Sequence, residues 1–227
     1  MKYSYTWLKE LSGTKLAPEK MADLLMMRSF EFEEMKKEGK EVQLEFAILP
    51  NRAHDMLSHI GMAREICAVE GRKFVLKFDF RSVLKSNFRT EELKVEIKEK
   101  NLCPRYIGAV LENIKVSPSP KWMQERLLVS GVKPINNIVD ITNYVMMETG
   151  QPLHAFDANH LTPALSLLRR GRRESAMNIV VRRAKKGEEI KLLDEKIYKL
   201  NENDLVIADS EKALALAGVM GGYDSSI

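Results

Sequence analysis

Cysteine is scarce in this chain: Cys67 and Cys103 are the two in 227 residues, and no CxxC spacing joins them. That leaves no disulfide framework and suits two reduced thiols in a cytoplasmic protein. Long hydrophobic runs are missing as well. No stretch approaches the roughly 18 uncharged apolar residues that a bilayer-spanning helix needs, so no membrane partner is expected. The opening "MKYSYTWLKELSG" lacks the basic and then apolar order of a signal peptide. There is no GxxxxGK[ST] loop to hold a nucleotide, no internal repeat and no low-complexity tract. Charge of one sign is also in short supply, and a net +4 names no partner by itself.

The chain does have material for a core. At 44% hydrophobic residues it can fill one large domain or two small ones. Tyr3 to Leu11 reads as a short helix with Tyr3, Trp7, Leu8 and Leu11 at helical spacing, and Pro18 suits the first turn of a second. "EGKE" (Glu38–Glu41) is a turn, and "VQLEFAIL" after it alternates with Val42, Leu44, Phe46 and Ile48 on one face of a strand. A helix follows with Ile60, Ala63 and Cys67 on one side and Gly71 as its stop. Phe78 to Thr90 carries no period and marks a domain boundary. Beyond it, Leu93, Val95 and Ile97 alternate as a strand, and Tyr106–Val116 reads as another. "SPSPKWMQERLLVSGV" is a helix with Ser119 as cap, Pro120 first and Gly131 at the end. Short β segments close the chain at Ile179–Arg183, Glu189–Leu193, Lys196–Leu200, Leu205–Ala208 and Ala213–Ala217. The class is α+β, in two domains.

One stretch stands out: "KPINNIVDITNYVMMETGQPLHAFD", Lys133 to Asp157. On a helical wheel Ile135, Ile138, Val139, Val145 and Met146 share a face with Thr142, and Asn136, Asp140 and Asn143 form a polar stripe on another. Gly150 ends the helix, Pro152 stops it, and a loop presents His154. Two readings stay open for each polar group. The Thr142 hydroxyl either bonds the Ile138 carbonyl one turn back or faces a ligand. His154, between Leu153 and Phe156, is either a core residue or a chemical one.

The same stretch resembles the hallmark of the editing domain in the β subunit of bacterial phenylalanyl-tRNA synthetase. Its flanks agree. "CPRYIGAVLENIKVSPSPKWMQERLLVSGVKPINN" resembles the start of that domain, and "VVRRAKKGEEIKLLDEKIYKLNENDLVIAD" with "ALALAGVMGGYDSS" resembles its later strands. "YTWLKE" and "PNRAHDMLSHIGMAREICAVEG" resemble the two halves of the family's N-terminal domain. The resemblance therefore implies a small N-terminal α/β domain over residues 1–80 and a larger mixed α+β editing-type domain over 90–227, truncated at its C-terminus. Three departures accompany it. The OB-fold tRNA-binding domain is missing near residues 35–42, where only "EEMKKEGKEVQ" joins the halves. The basic stretch "TPALSLLRRGRRESAMN" is longer than the family's usual link. The chain also stops at Ile227, as a fragment or a shortened free-standing relative would.

The family attaches phenylalanine to its tRNA with ATP and Mg at a site in the α subunit, within a heterotetramer, so no cofactor is expected in this segment. The resemblance gives it instead a share in the hydrolysis of mischarged tyrosyl-tRNA(Phe). It places His154 and Thr142 as catalytic groups, and Asn143, Ala217 and Gly218 as the wall that meets the substrate ring. An acidic residue that reads the tyrosine hydroxyl is expected beyond Ile227, so the site over 1–227 is expected to be incomplete. The alternative function is a non-catalytic fragment or a free-standing module that binds RNA or protein. From Thr162 to Lys191 nine Lys and Arg stand against three Glu. Arg169, Arg170, Arg172 and Arg173 are the tRNA-binding candidates, with a solvated loop as the other reading. No metal is expected, because His54 and His59 lack a ligand pattern. Asn51, Arg52 and Asp55 shape a turn and a cap, and Met146 and Met147 pack a helix.

Overall fold

A computed structural model describes residues 1–76, 93–160 and 177–227 of the chain. The expected boundary at Phe78–Thr90 and the four candidate arginines lie outside the described residues. The chain forms two compact units, and they do not follow its order. The first contains Met1–Phe80 together with Lys115–His154, and the second contains Arg81–Ile114 with Ala155–Ile227. Residues 115–154, expected to belong with the strands that follow them, thus fold with the N-terminal segment.

The first unit is built around a three-stranded antiparallel sheet in the order β1-β3-β2, from β1 (Lys2–Ser4), β2 (Glu31–Glu38) and β3 (Glu41–Ala47). The first helix is shorter at its start than its apolar spacing suggested. Ser4 accepts a hydrogen bond from the Trp7 N–H and so caps α1 (Tyr5–Ser12), which leaves residues 2–4 extended and free to pair with β3. The segment Glu33–Gln43 is most of the β2–β3 hairpin. Its charged, largely exposed β2 went unread because a sheet edge needs no apolar alternation. Leu44 and Phe46 point from β3 into a core with Tyr3, Leu8, Met21, Leu25, Met62 and Ile66. Tyr3 comes from β1 and the others from α1, α2 (Pro18–Arg28) and α4 (His59–Val69), with the short α3 (Ala53–Met56) leading into α4. Ser58, not Asp55, caps α4.

Two later helices complete this unit. In α5 (Lys121–Val129), Pro120 occupies the cap position without a side-chain bond, one residue later than the expected Ser119 cap. Ser119 does something else: its hydroxyl donates to Asp140 Oδ2 at 2.5 Å. In α6 (Asn137–Thr149), Asn136 caps by accepting from the Ile138 and Val139 N–H groups. The α6 face that turns inward is not the one the wheel favoured. Asp140 and Met147 are its buried residues with Tyr144 a turn between them, whereas Ile138, Val139, Val145 and Met146 of the expected face are only half-buried. A fully buried carboxylate is tolerable here because the Ser119 hydroxyl and the Ile135 N–H both donate to it. Trp7, Met123, Leu127 and Met147 form a second cluster, joining α5 and α6 to α1.

The second unit carries a five-stranded sheet in the order β10-β9-β8-β5-β4, with β4 (Leu93–Ile97), β5 (Met177–Arg183), β8 (Leu205–Ala208), β9 (Ala213–Leu216) and β10 (Met220–Gly221). The β4–β5 pair is parallel and the others are antiparallel. A separate hairpin, β6 (Glu189–Lys191) with β7 (Ile197–Lys199), packs Ile190 into a core with Leu192, Leu200, Val206 and Ala208. Arg182 and Glu188 make a well-aligned pair at 2.7 Å beside it. Residues Tyr106–Val116, expected as a strand, form none. These residues meet no ladder partner among the described residues, and Asn113 takes a positive φ of 57°.

A close backbone approach in the first unit is at Gly61 on α4. A Cβ there would sit 1.7 Å from the Asp55 carbonyl oxygen. Gly61→Ala should therefore force α3 and α4 apart and cost about 3 kcal/mol. Urea unfolding checks this, and a loss below about 1 kcal/mol would contradict the packing described.

Candidate functional site

The predicted site residues divide between the two units. Thr142, Asn143 and His154 belong to the first, while Ala217 and Gly218 belong to the second. Thr142 donates its hydroxyl to the Val139 carbonyl at 2.7 Å, one residue nearer than the expected Ile138. Its proton is therefore committed and only its lone pairs remain, so Thr142 can accept from a ligand but not donate to it. Asn143 is half-buried on α6. His154 is exposed, which removes the core reading, but its surroundings desolvate the imidazole enough to lower its pKa from the ordinary value. In the second unit Ala217 donates its N–H to the Leu205 carbonyl, and Val219 closes a tight turn onto Leu216. Gly218 sits in that turn with φ +72° and open space where a Cβ would project. The turn, not a close approach, is the local reason for glycine here.

The strongest polar construction in the first unit was read from sequence only as an absent metal ligand. His59, the first residue of α4, is fully buried. The Ser4 backbone N–H donates to its Nε2 at 3.1 Å, so that nitrogen carries no proton. The proton lies on Nδ1, which donates to the Met147 carbonyl at 2.9 Å. The ring stacks on Trp7 with centroids 4.0 Å apart, and Trp7 stacks in turn on Tyr144 at 4.2 Å. Arg126 lies over the rings of both Trp7 and Trp122, donates to the Tyr144 hydroxyl at 2.8 Å and pairs with Glu10. Burial holds the His59 pKa down at about 4, with a smaller push in the same direction from Arg126, against the opposing pull of the Met147 carbonyl. Burial likewise pushes Tyr144 up to about 12.

Other charged groups are structural. Arg52 binds Asp55 and Glu65, both at 3.0 Å, and lies over the Phe30 ring. Asp55 thus secures Arg52 and caps nothing. A cleft of about 320 Å³ opens beside α4 against Arg64, Arg72 and Phe74, and it holds none of the predicted site residues. Among the described residues no group of three or more His, Cys, Asp or Glu could hold a metal ion, and no helix is long and apolar enough to cross a membrane.

The B3/4 domain family matches residues 102–227, more than half of the chain. The chain belongs to that family. This B3/4 chain is also similar to phenylalanine–tRNA ligase β subunits. It is 46% identical to that of Clostridium acetobutylicum over 185 residues, which is 81% of this chain and 21% of the relative. It is 44% identical to that of Fusobacterium nucleatum over 188 residues, 82% of this chain and 21% of the relative. The chain thus spans about a fifth of the length of these curated relatives. A crystal structure of an N-terminal fragment of the phenylalanyl-tRNA synthetase β subunit from Pyrococcus horikoshii shares the fold. Its TM-score is 0.51 at 16% identity, covering all of this chain and 63% of that one.

The buried His59 gives the fold a definite pH dependence. Folded, it stays neutral down to about pH 4; unfolded, it takes a proton near its ordinary 6.5. Between these values the unfolded state binds the extra proton, so stability falls as pH falls. The contribution is complete above pH 6.5 and lost by about pH 4, and amounts to about 3 kcal/mol over the window. Urea unfolding of the wild type and His59→Asn from pH 7 to 4 should show the two stability curves converging towards the acid end. Parallel curves would contradict a neutral, buried His59.

Proposed function

We propose that this chain is the editing portion of a phenylalanine–tRNA ligase β subunit, acting in the cytoplasm to hydrolyse tyrosyl-tRNA(Phe). The observation that carries this reading is the 46% identity to such a β subunit, extending over 81% of the chain. The chemical need is plain. Tyrosine differs from phenylalanine by one hydroxyl, and a mainly apolar pocket rejects an added hydroxyl by a factor of only about 10². A second site that bonds that hydroxyl reverses the preference, because phenylalanine would leave its polar groups unpaired.

The residues are suited to these roles. His154, exposed and with its pKa lowered, is neutral at pH 7, so its lone pair can take a proton from an attacking water or hold that water in place. Thr142 serves as an acceptor on α6, with Asn143 beside it able to donate and accept. Ala217 and Gly218 supply a small side chain and a bare turn against the substrate ring. In this reading tRNA(Phe) is the nucleic-acid partner, and the α subunit, in a heterotetramer, holds ATP and Mg. The alternative, a binding module without catalysis, predicts tRNA binding with no dependence of deacylation on His154.

His154→Ala tests the proposal. In the assembled synthetase, deacylation of tyrosyl-tRNA(Phe) should fall by about 10²–10⁴-fold. Phenylalanine attachment should stay near normal, because in this reading it takes place at a separate site in the α subunit, and Tm measured on the same variant separates lost chemistry from lost stability. Full deacylation by the variant would overturn the assignment. The arginines have their own measurement. Replacing Arg169, Arg170, Arg172 and Arg173 together by alanine should flatten the salt dependence of tRNA binding, by roughly 0.7–0.9 in log–log slope for each phosphate that these side chains neutralise. An unchanged slope would leave them as solvated surface.

A further inference from the structure

We infer that His59 is a positioning residue for the segment that presents His154, acting through the last turn of α6. The role attributed to His154 rests on the editing reading above, whereas the anchoring itself rests on geometry alone.

The inference starts from the carbonyls that end a helix. The last turn of any α-helix leaves acceptors without an intrahelical donor. In α6 the Gly150 N–H returns to the Met146 carbonyl at 2.8 Å, with Gly150 left-handed at φ 80°. The donor that would continue the helix onto the Met147 carbonyl is the Gln151 N–H, but it goes to the Thr149 hydroxyl at 3.1 Å. The Met147 carbonyl is served instead from outside, by Nδ1–H of His59 at 2.9 Å. An imidazole of another helix thus supplies the bond that helix continuation would have made.

The anchor is stiff on its own side. His59 is held in one tautomer by the Ser4 N–H on Nε2, and its plane is fixed by the stack on Trp7 and the edge contact with Tyr3, whose centroid is 5.4 Å away. The preceding residue lies close by: a Cβ added to Gly150 would make ordinary van der Waals contact with Ser58 Cβ at 3.5 Å, so the turn out of α6 passes beside the cap of α4. Only Gln151, Pro152 and Leu153 separate that turn from His154. Gly150 in its left-handed conformation stops α6, and His59 holds the carbonyl that this stop leaves over, so the turn from which the next four residues leave is tied to His59.

Two isosteres separate this role from simple packing. Asparagine places an N–H near the position of Nδ1 and can still donate to Met147, but offers Ser4 no acceptor. Glutamine places its amide near Nε2 and can still serve Ser4, but leaves the Met147 carbonyl without a donor. Both variants lose the stack and both are less stable. Amide exchange in the 227-residue chain reads the difference, with the Gly150 amide referenced to the Leu44 and Phe46 amides so that global destabilisation cancels. His59→Asn should keep the relative protection of Gly150 within about twofold, and His59→Gln should lower it by about tenfold or more. The NMR titration of His154 should follow the same order, close to wild type in the asparagine variant and moved in the glutamine variant. Equal protection in the two variants, or loss in asparagine alone, would overturn the anchor. Deacylation of tyrosyl-tRNA(Phe) on the same variants is a separate arm. If the wild-type synthetase does not deacylate, the editing reading fails while the exchange result still decides the role of His59.

Discussion

A single imidazole, desolvated and locked in one tautomer, holds together the parts of the first unit that are far apart in sequence. His59 accepts from β1 and donates to α6 while stacking on the tryptophan of α1. Such a group cannot be charged where it sits, since neither partner could receive a second ring proton usefully and burial already opposes it. Each contact also constrains the next. The stack fixes Trp7, Trp7 carries Tyr144, and Tyr144 with Arg126 fixes α6 against α5. A satisfied polar network of this kind specifies one arrangement more sharply than an apolar core of the same volume, because any shift leaves a buried donor or acceptor unpaired.

Much of the fold was legible because period and punctuation agreed. Pro18, Leu44 and Phe46 sit where their patterns put them, Leu93–Ile97 is a strand with the predicted ends, and the short segments after residue 177 recur as β5 to β9 within a residue or two. The failures have identifiable causes. Tyr106–Val116 had strand-forming residues but no ladder partner among the described residues, and a strand is a property of pairs. The strand β2 had a partner but little alternation. The helix α6 had a clear apolar face, yet its inward side is chosen by specific bonds to Asp140 and by the Trp7–Tyr144 stack, which a wheel cannot weigh.

The candidate site was legible in a different sense. Thr142, Asn143, His154, Ala217 and Gly218 were reached through resemblance, and local geometry now limits what some of them can do. Thr142 has spent its proton on Val139, His154 is at the surface and not in a core, and Gly218 is explained by its turn. His59 was missed because a lone histidine on an apolar helix carries no motif. The signal was present only as a combination: Ser58 as a cap, an aromatic segment at Tyr3–Trp7, and a helix end at Gly150 with an acceptor left over.

That combination bears on how the family segment and the folded units relate. The B3/4 match covers residues 102–227, yet α5 and α6, which lie inside it, fold with Met1–Phe80. Met123, Leu127 and Met147 bury their side chains against Trp7, and Gln43 of β3 donates to the Val129 carbonyl at 2.8 Å. Without the N-terminal segment these apolar side chains would face water and the Met147 carbonyl would lose the His59 donor, two penalties of the kind that marginal stability does not absorb. The order of the chain explains how this is arranged. The parallel pair β4–β5 brackets the excursion from residue 98 to 176, so that a connection within the second unit delivers α5 and α6 to the first. Parallel strands always require a crossover, and this one carries two helices that bury Met123, Leu127 and Met147 in the first unit. The residues that resemblance assigns to the editing site on α6 are thus held by an N-terminal segment that the B3/4 match leaves out.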